Sequence, residues 1–140
     1  MQQVLIAHRN EDGRHAADRI RGALEASSRV HCVGLDEVAD DDLDAAVRSA
    51  GQVIVAVDAD WAEEGIRALD DAPGRRLQRV LEAALSRDDA LLAVSVDGAR
   101  LPAADALPAP LSGLERVPLF GVSSQRWADD VAALCDEVAA

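Results

Sequence analysis

Five short apolar runs, separated by helical patterns, constrain this chain more than any other feature of its sequence. Val4–Ala7, Val30–Gly34, Val53–Val57 and Leu91–Val96 read as strands, and Val117–Phe120 as a fifth, which Pro118 confines to a sheet edge. Arg14–Ser27 places Ala17, Ile20 and Leu24 on one helical face. Asp41–Ser49 reads as a short helix whose acidic first turn suits the positive end of the helix dipole. Gly74–Ser86 carries Leu77, Leu81, Ala84 and Leu85 at helical spacing, and Ser124–Ala139 forms a closing helix with Ser123 or Ser124 as its N-cap. A proline-rich stretch, Leu101–Leu111, precedes the last strand. Strands without a polar face, alternating with helices, predict a parallel sheet covered on both sides. Right-handed crossovers make that sheet doubly wound. The 140 residues read as one domain, 1–140. Ligands on such sheets gather at the carboxyl ends of the strands. Here those ends carry His8–Asp12, Asp36, Asp58–Trp61 and Asp97.

Composition removes several chemistries. All 14 strong cations are arginine, so the P-loop lysine, a Schiff base and the receiver-domain lysine are excluded. The net charge of −12 opposes contact with a phosphate backbone. Trp61, Phe120 and Trp127 are the only aromatic residues, too few for a base-stacking surface. No nucleic-acid partner is expected. No basic leader and no long apolar stretch occur, so the expectation is a cytoplasmic protein without a membrane span. Cys32 falls in a predicted strand and Cys135 in the closing helix, where both read as small buried groups.

Two segments after strands carry candidate chemistry. His8-Arg9-Asn10-Glu11-Asp12-Gly13 holds a guanidinium suited to phosphate or carboxylate and an imidazole that titrates near neutrality. The plainer account is a polar loop, with Asp12 or Gly13 preceding the first helix. Asp58-Ala59-Asp60 offers two carboxylates on alternate residues, a spacing that can hold Mg²⁺. The stretch VIVAVDADWAEEG resembles the Asp-x-Asp segment of Toprim domains, but the Glu that family places directly after its first strand is here Glu11, four residues past the apolar run. The plainer account is a solvated acidic loop, and no metal ligand is assigned. No GxGxxG follows the first strand, so a dinucleotide fold of that type is not expected.

A second resemblance spans almost the whole chain. VLIAHRNED resembles the first strand and following loop of bacterial TIR domains, with Arg9, Glu11 and Asp12 matching and Ala7, His8 and Asn10 departing. VIVAVDADW resembles the third strand and its Trp-bearing turn, here Trp61. LEAAL at 81–85 resembles the end of the third main helix, LLAVSVDGARLP at 91–102 the fourth strand and its exit loop, and SQRWADDVAAL at 124–134 the closing helix. The resemblance implies a flavodoxin-like, five-stranded parallel sheet in the order 2-1-3-4-5, with helices on both faces.

It also implies one of two activities: NAD hydrolysis or cyclisation, or assembly through protein contact. Enzymatic TIR domains use a Glu on the third main helix, which can stabilise the charge developing on the ribose. Anchored on Glu82-Ala83-Ala84-Leu85, that position is Val80, which has no group for the task. Glu82 lies two residues on, about 200° around the helix. Asp36-Glu37-Val38 stands where the family has an Asp-Ser-Ile and a Pro-Gly loop, and the Pro-Gly is absent. The expectation is therefore an interaction and signalling module with no catalytic residue, acting through protein partners or self-association. His8, Arg9, Asp36, Asp58 and Trp61 are the candidate ligand contacts, with NAD as ligand rather than required cofactor. Trp127 is expected to pack against the sheet instead. An NAD hydrolase or cyclase, with a carboxylate re-registered onto the helix, is the alternative, and a Toprim-type Mg²⁺ domain is the third reading. Like-charged surfaces predict self-association that strengthens with salt unless the contact is itself charge-paired.

Overall fold

A computed structural model describes residues 2–8, 11–27, 30–57, 72–87, 91–98, 113 and 116–139. Strand β1 (Gln2–Ala7) leads into helix α1 (Glu11–Ser27), and β2 (Val30–Gly34) into two 3-10 turns, Leu35–Glu37 and Asp40–Asp42. Helix α2 (Leu43–Ser49), β3 (Gln52–Val57), α3 (Ala72–Leu85), β4 (Leu91–Val96), β5 (Leu119–Val122) and α4 (Trp127–Ala139) follow. The strands form one sheet in the order β2-β1-β3-β4-β5, and every neighbouring pair is parallel. This is the doubly wound, 2-1-3-4-5 arrangement expected from the sequence.

The alternation of each strand divides the core in two. Leu5, Ala7, Val53, Val55 and Ala93 point to the side of α2 and α3, where Leu43, Val47, Leu77, Val80 and Leu81 meet them. Val4, Ile6, Ile54, Ala56 and Val94 point to α1 and α4, against Ile20, Leu24, Val131 and Leu134. Residues 53–57 are buried throughout, because this central strand has helices over both faces. Each fully buried Leu or Ile contributes about 1.5–3 kcal/mol of transfer free energy. Cys32 and Cys135 are buried in the α1–α4 layer as expected, and burial pushes the Cys32 thiol up to about 11.

Element ends differ from the sequence reading. Helix α1 starts at Glu11, so Asp12 and Gly13 lie within it and do not precede it. The expected helix from Asp41 is split, with a 3-10 turn over Asp40–Asp42 before α2. β5 runs over Leu119–Val122, two residues later than Val117–Phe120. Pairing with β4 sets this register, with Leu119 opposite Ala93 and Phe120 opposite Val94. Pro118 therefore lies just outside the strand, where its carbonyl still accepts the Ala93 N–H at 3.0 Å. Helix α4 starts at Trp127, not Ser124, because Ser123 Oγ accepts the Arg126 N–H at 3.2 Å and holds residues 124–126 in a turn.

Candidate functional site at the carboxyl edge of the sheet

His8 continues the alternation of β1 onto the α1 side. It is half-buried and, with Ile6, Ala17, Asp18, Arg21, Gly34 and Glu37, lines a cavity of about 140 Å³. Arg21 crosses from α1 to the turn after β2. Its Nε donates to Glu25 at 3.2 Å and its Nη1 to the Glu37 carboxylate. The Glu37 contact is the main cause that raises the Arg21 pKa, and the Arg21 hydrogen bond in turn lowers that of Glu37.

The opposite side of the same turn is held by α3. Arg76 donates to the carbonyl of Leu35 at 3.2 Å and to that of Val38. Further along, Arg87 donates to the Ala50 carbonyl at 2.9 Å and to that of Val47. Two arginines thus bind both ends of the Leu35–Ala50 segment to the α3 side, and the Leu35 carbonyl also accepts the Val38 N–H at 3.2 Å. Sequence reasoning missed Arg21, Arg76 and Arg87 as organising residues. Apart from the Arg21 bond to Glu25 four residues on, their partners are 16, 41 and 38, and 40 and 37 positions away, so local spacing does not announce these contacts.

Val80 is fully buried, beside Leu77, Leu81 and Ala84 in the α2–α3 layer. Glu82 is partly buried on another face of α3 and accepts the Gln78 amide at 3.1 Å. The described part of α3 therefore directs the aliphatic side chain at position 80 into the core. Arg9, Asp58, Asp60 and Trp61 lie outside the described residues, and so does the side chain of Asp36, whose backbone forms the Leu35–Glu37 turn. The structure consequently brings together His8 alone of the five ligand candidates with a described cavity. Among the described residues no group of three His, Cys, Asp or Glu side chains is placed to hold a metal, and no helix is long and apolar enough to cross a membrane.

Asp97 organises the far end of the edge. Its backbone is left-handed at φ 54, with Gly98 at φ 80. Its Oδ1 accepts the Ser124 N–H at 2.7 Å and its Oδ2 the Ser124 hydroxyl at 2.8 Å, which ties the end of β4 to the entry of α4. The Ser124 backbone bond, followed by the hydroxyl, lowers the Asp97 pKa. Asp130 repeats the device one turn into α4, accepting from Ser123 N–H at 2.9 Å and Oγ at 3.2 Å. Trp127 packs on the α1–α4 layer with the Arg19 guanidinium 3.8 Å from its ring centroid, so it is a packing residue, as expected.

No family model and no curated protein matches the chain by sequence. Solved structures do match it by shape. A prokaryotic SEFIR domain superposes with a TM-score of 0.62 at 14% identity, covering 97% of this chain and 91% of that one. The TIR domains of the activated Roq1 resistosome, described as directly recognising the pathogen effector XopQ, superpose with a TM-score of 0.65 at 11% identity, covering 99% of each chain. Sheet order, helix placement and full-length coverage agree, and the chain folds as a TIR-like domain.

Proposed function

We propose that this chain is a TIR-type signalling module that works through protein contact and does not cleave NAD. The observation that carries the reading is Val80, fully buried in the α3 core. A valine without hydrogen-bonding capacity can neither stabilise an oxocarbenium-like ribose nor hold its hydroxyls. Glu82 faces elsewhere and is engaged by Gln78. NAD is on this reading a ligand, with His8, Arg9, Asp36, Asp58 and Trp61 as the residues that contact it.

The surfaces support contact between copies. Arg75 and Arg79 are exposed on α3 and Arg48 on neighbouring α2, beside exposed Asp41, Asp42 and Asp44, with Arg79 4.0 Å from Asp44. On α4, Asp129, Asp136 and Glu137 are exposed, and the helix contains no basic residue. These faces cover opposite sides of the sheet. The exposed arginines of α3 and the carboxylates of α4, on opposite sides of the sheet, suit a head-to-tail contact, which extends instead of closing unless the rotation between copies completes a ring.

The test is nicotinamide release from NAD by concentrated protein, with Glu82→Gln alongside. No release, including under crowding that favours assembly, is the expected result. Release that disappears in Glu82→Gln overturns the non-enzymatic reading.

A further inference from the structure

Strand β5 forms one edge of the sheet, and that edge is open. The Ala93 N–H bonds the Pro118 carbonyl at 3.0 Å and the Asp97 N–H the Val122 carbonyl at 2.9 Å, so residues 118, 120 and 122 turn their backbone groups to β4. Leu119 and Gly121 turn theirs outward, and among the described residues no hydrogen bond engages them. Pro118 does not close the edge, because its backbone serves the β4 side. Leu119 is 49% exposed, the one large hydrophobic so exposed among the described residues. Gly121 is exposed too, and a Cβ there would meet nothing within 4 Å. Edge strands are commonly blunted by charge or covered, yet Leu119–Val122 carries no charge.

We propose that β5 pairs with β5 of a second copy, antiparallel about a two-fold axis at Phe120, so that two five-stranded sheets become one. A second copy is selected because the strand is complementary to itself. In this register Leu119 of each copy lies opposite Gly121 of the other, and each pair exchanges both of its N–H···O bonds. The leucine of one copy then covers the bare glycine backbone of the other on the side of the sheet that Ala93 faces. Phe120 meets its own equivalent on the α4 side, in a non-hydrogen-bonded pair where side chains come closest. A slip of two residues either way sets one outward residue opposite itself and the other beyond the end of β5.

Charge agrees with the antiparallel sense. Arg116 is exposed before β5, and the exposed Asp97 carboxylate lies at the other end, bonded to Ser124. Antiparallel order brings Arg116 of each copy towards the Ser124–Asp97 corner of the other, whereas parallel order would set like ends together. This contact is separate from the one between α3 and α4, and it stands whether or not the chain cleaves NAD.

The experiment is NMR of the intact protein from about 0.05 mM to about 2 mM in about 1 M sodium chloride, where charge-paired contact is screened. The Leu119 and Gly121 amides should shift saturably with concentration. In a mixture of isotope-labelled and unlabelled protein, intermolecular NOEs should join the Leu119 methyls to the Gly121 Hα and one Phe120 ring to the other. Leu119→Lys should weaken the association at least about fivefold while the spectrum keeps its native dispersion, since the side chain is exposed. Gly121→Pro removes an outward N–H and leaves the bonds to β4, and it should do the same. Shifts that ignore concentration would overturn the proposal and leave the edge to an extended strand of another protein. Intermolecular NOEs centred on other residues, or undiminished association in Leu119→Lys, would overturn it as well.

Discussion

His8 and Val80 lie on opposite faces of the sheet. His8 lines a cavity with Ile6 and Ala17 on the α1 side, while Val80 is sealed among Leu77, Leu81 and Ala84 beneath α2 and α3. The half-buried imidazole and the aliphatic side chain at position 80 are thus separated by the thickness of the sheet.

The burial of Val80 makes introducing a carboxylate at position 80 a stability experiment. Val80→Glu would place a carboxylate in a fully buried apolar layer, one helical turn from Arg76, whose guanidinium already serves the Leu35 and Val38 carbonyls. The expected cost is more than about 3 kcal/mol, a large share of a small domain's stability. Urea unfolding should show the loss, and nicotinamide release should remain absent. An undiminished midpoint would mean that α3 rotates to expose position 80.

Arg76 and Arg87 make a different kind of weak point. Each donates to two carbonyls at the margins of the Leu35–Ala50 segment. Replacing either by Met keeps much of the aliphatic stem and leaves those carbonyls to water. About 1.5–3 kcal/mol is expected for loss of bonds from a charged donor. Hydrogen exchange should localise the change: protection of α2 amides falls in Arg87→Met, while the β3–β4 ladder keeps its protection. Uniform loss would show that the clasp holds the whole fold.

The strands and helices were legible in the sequence because their signals are local. Residues 53–57 are an unbroken apolar run, and Leu77, Leu81 and Ala84 recur at helical spacing. The ends were less legible. β5 takes its register from β4, a partner across a long stretch of chain, and α4 is delayed by the Ser123–Arg126 turn. The cavity could not be read at all, since Gly34 looks like any strand-ending glycine until Arg21 and Glu37 are seen to meet beside it. His8 was singled out by its place after a strand, and its facing followed only from the alternation of β1.

Acid should release the corner at Asp97. Its folded-state pKa is lowered by hydrogen bonds from Ser124, below the ordinary value of 3.8. The charged form therefore favours the folded chain above that ordinary value, and this contribution disappears as pH falls through the folded value. Asp97→Asn retains a residue that tolerates left-handed backbone but removes the charge. Urea midpoints measured between about pH 6 and pH 3 should fall more steeply for the native protein than for Asp97→Asn. Parallel curves would remove Asp97 from the acid response.

Salt distinguishes the two forms of self-association. Apolar contact between chains of net charge −12 should strengthen with salt, as repulsion is screened. Contact between the arginines of α3 and the carboxylates of α4 should weaken, and the arrangement of those faces favours this second outcome. Light scattering from about 0.01 M to about 1 M sodium chloride shortens the screening length from about 30 Å to about 3 Å. Apparent mass should fall over that range. Arg75→Glu and Asp136→Arg should each reduce association at low salt, while an equimolar mixture of the two variants recovers only those contacts that pair a swapped face with a swapped face. Mass that rises with salt, or that ignores both substitutions, would place the contact elsewhere on the domain.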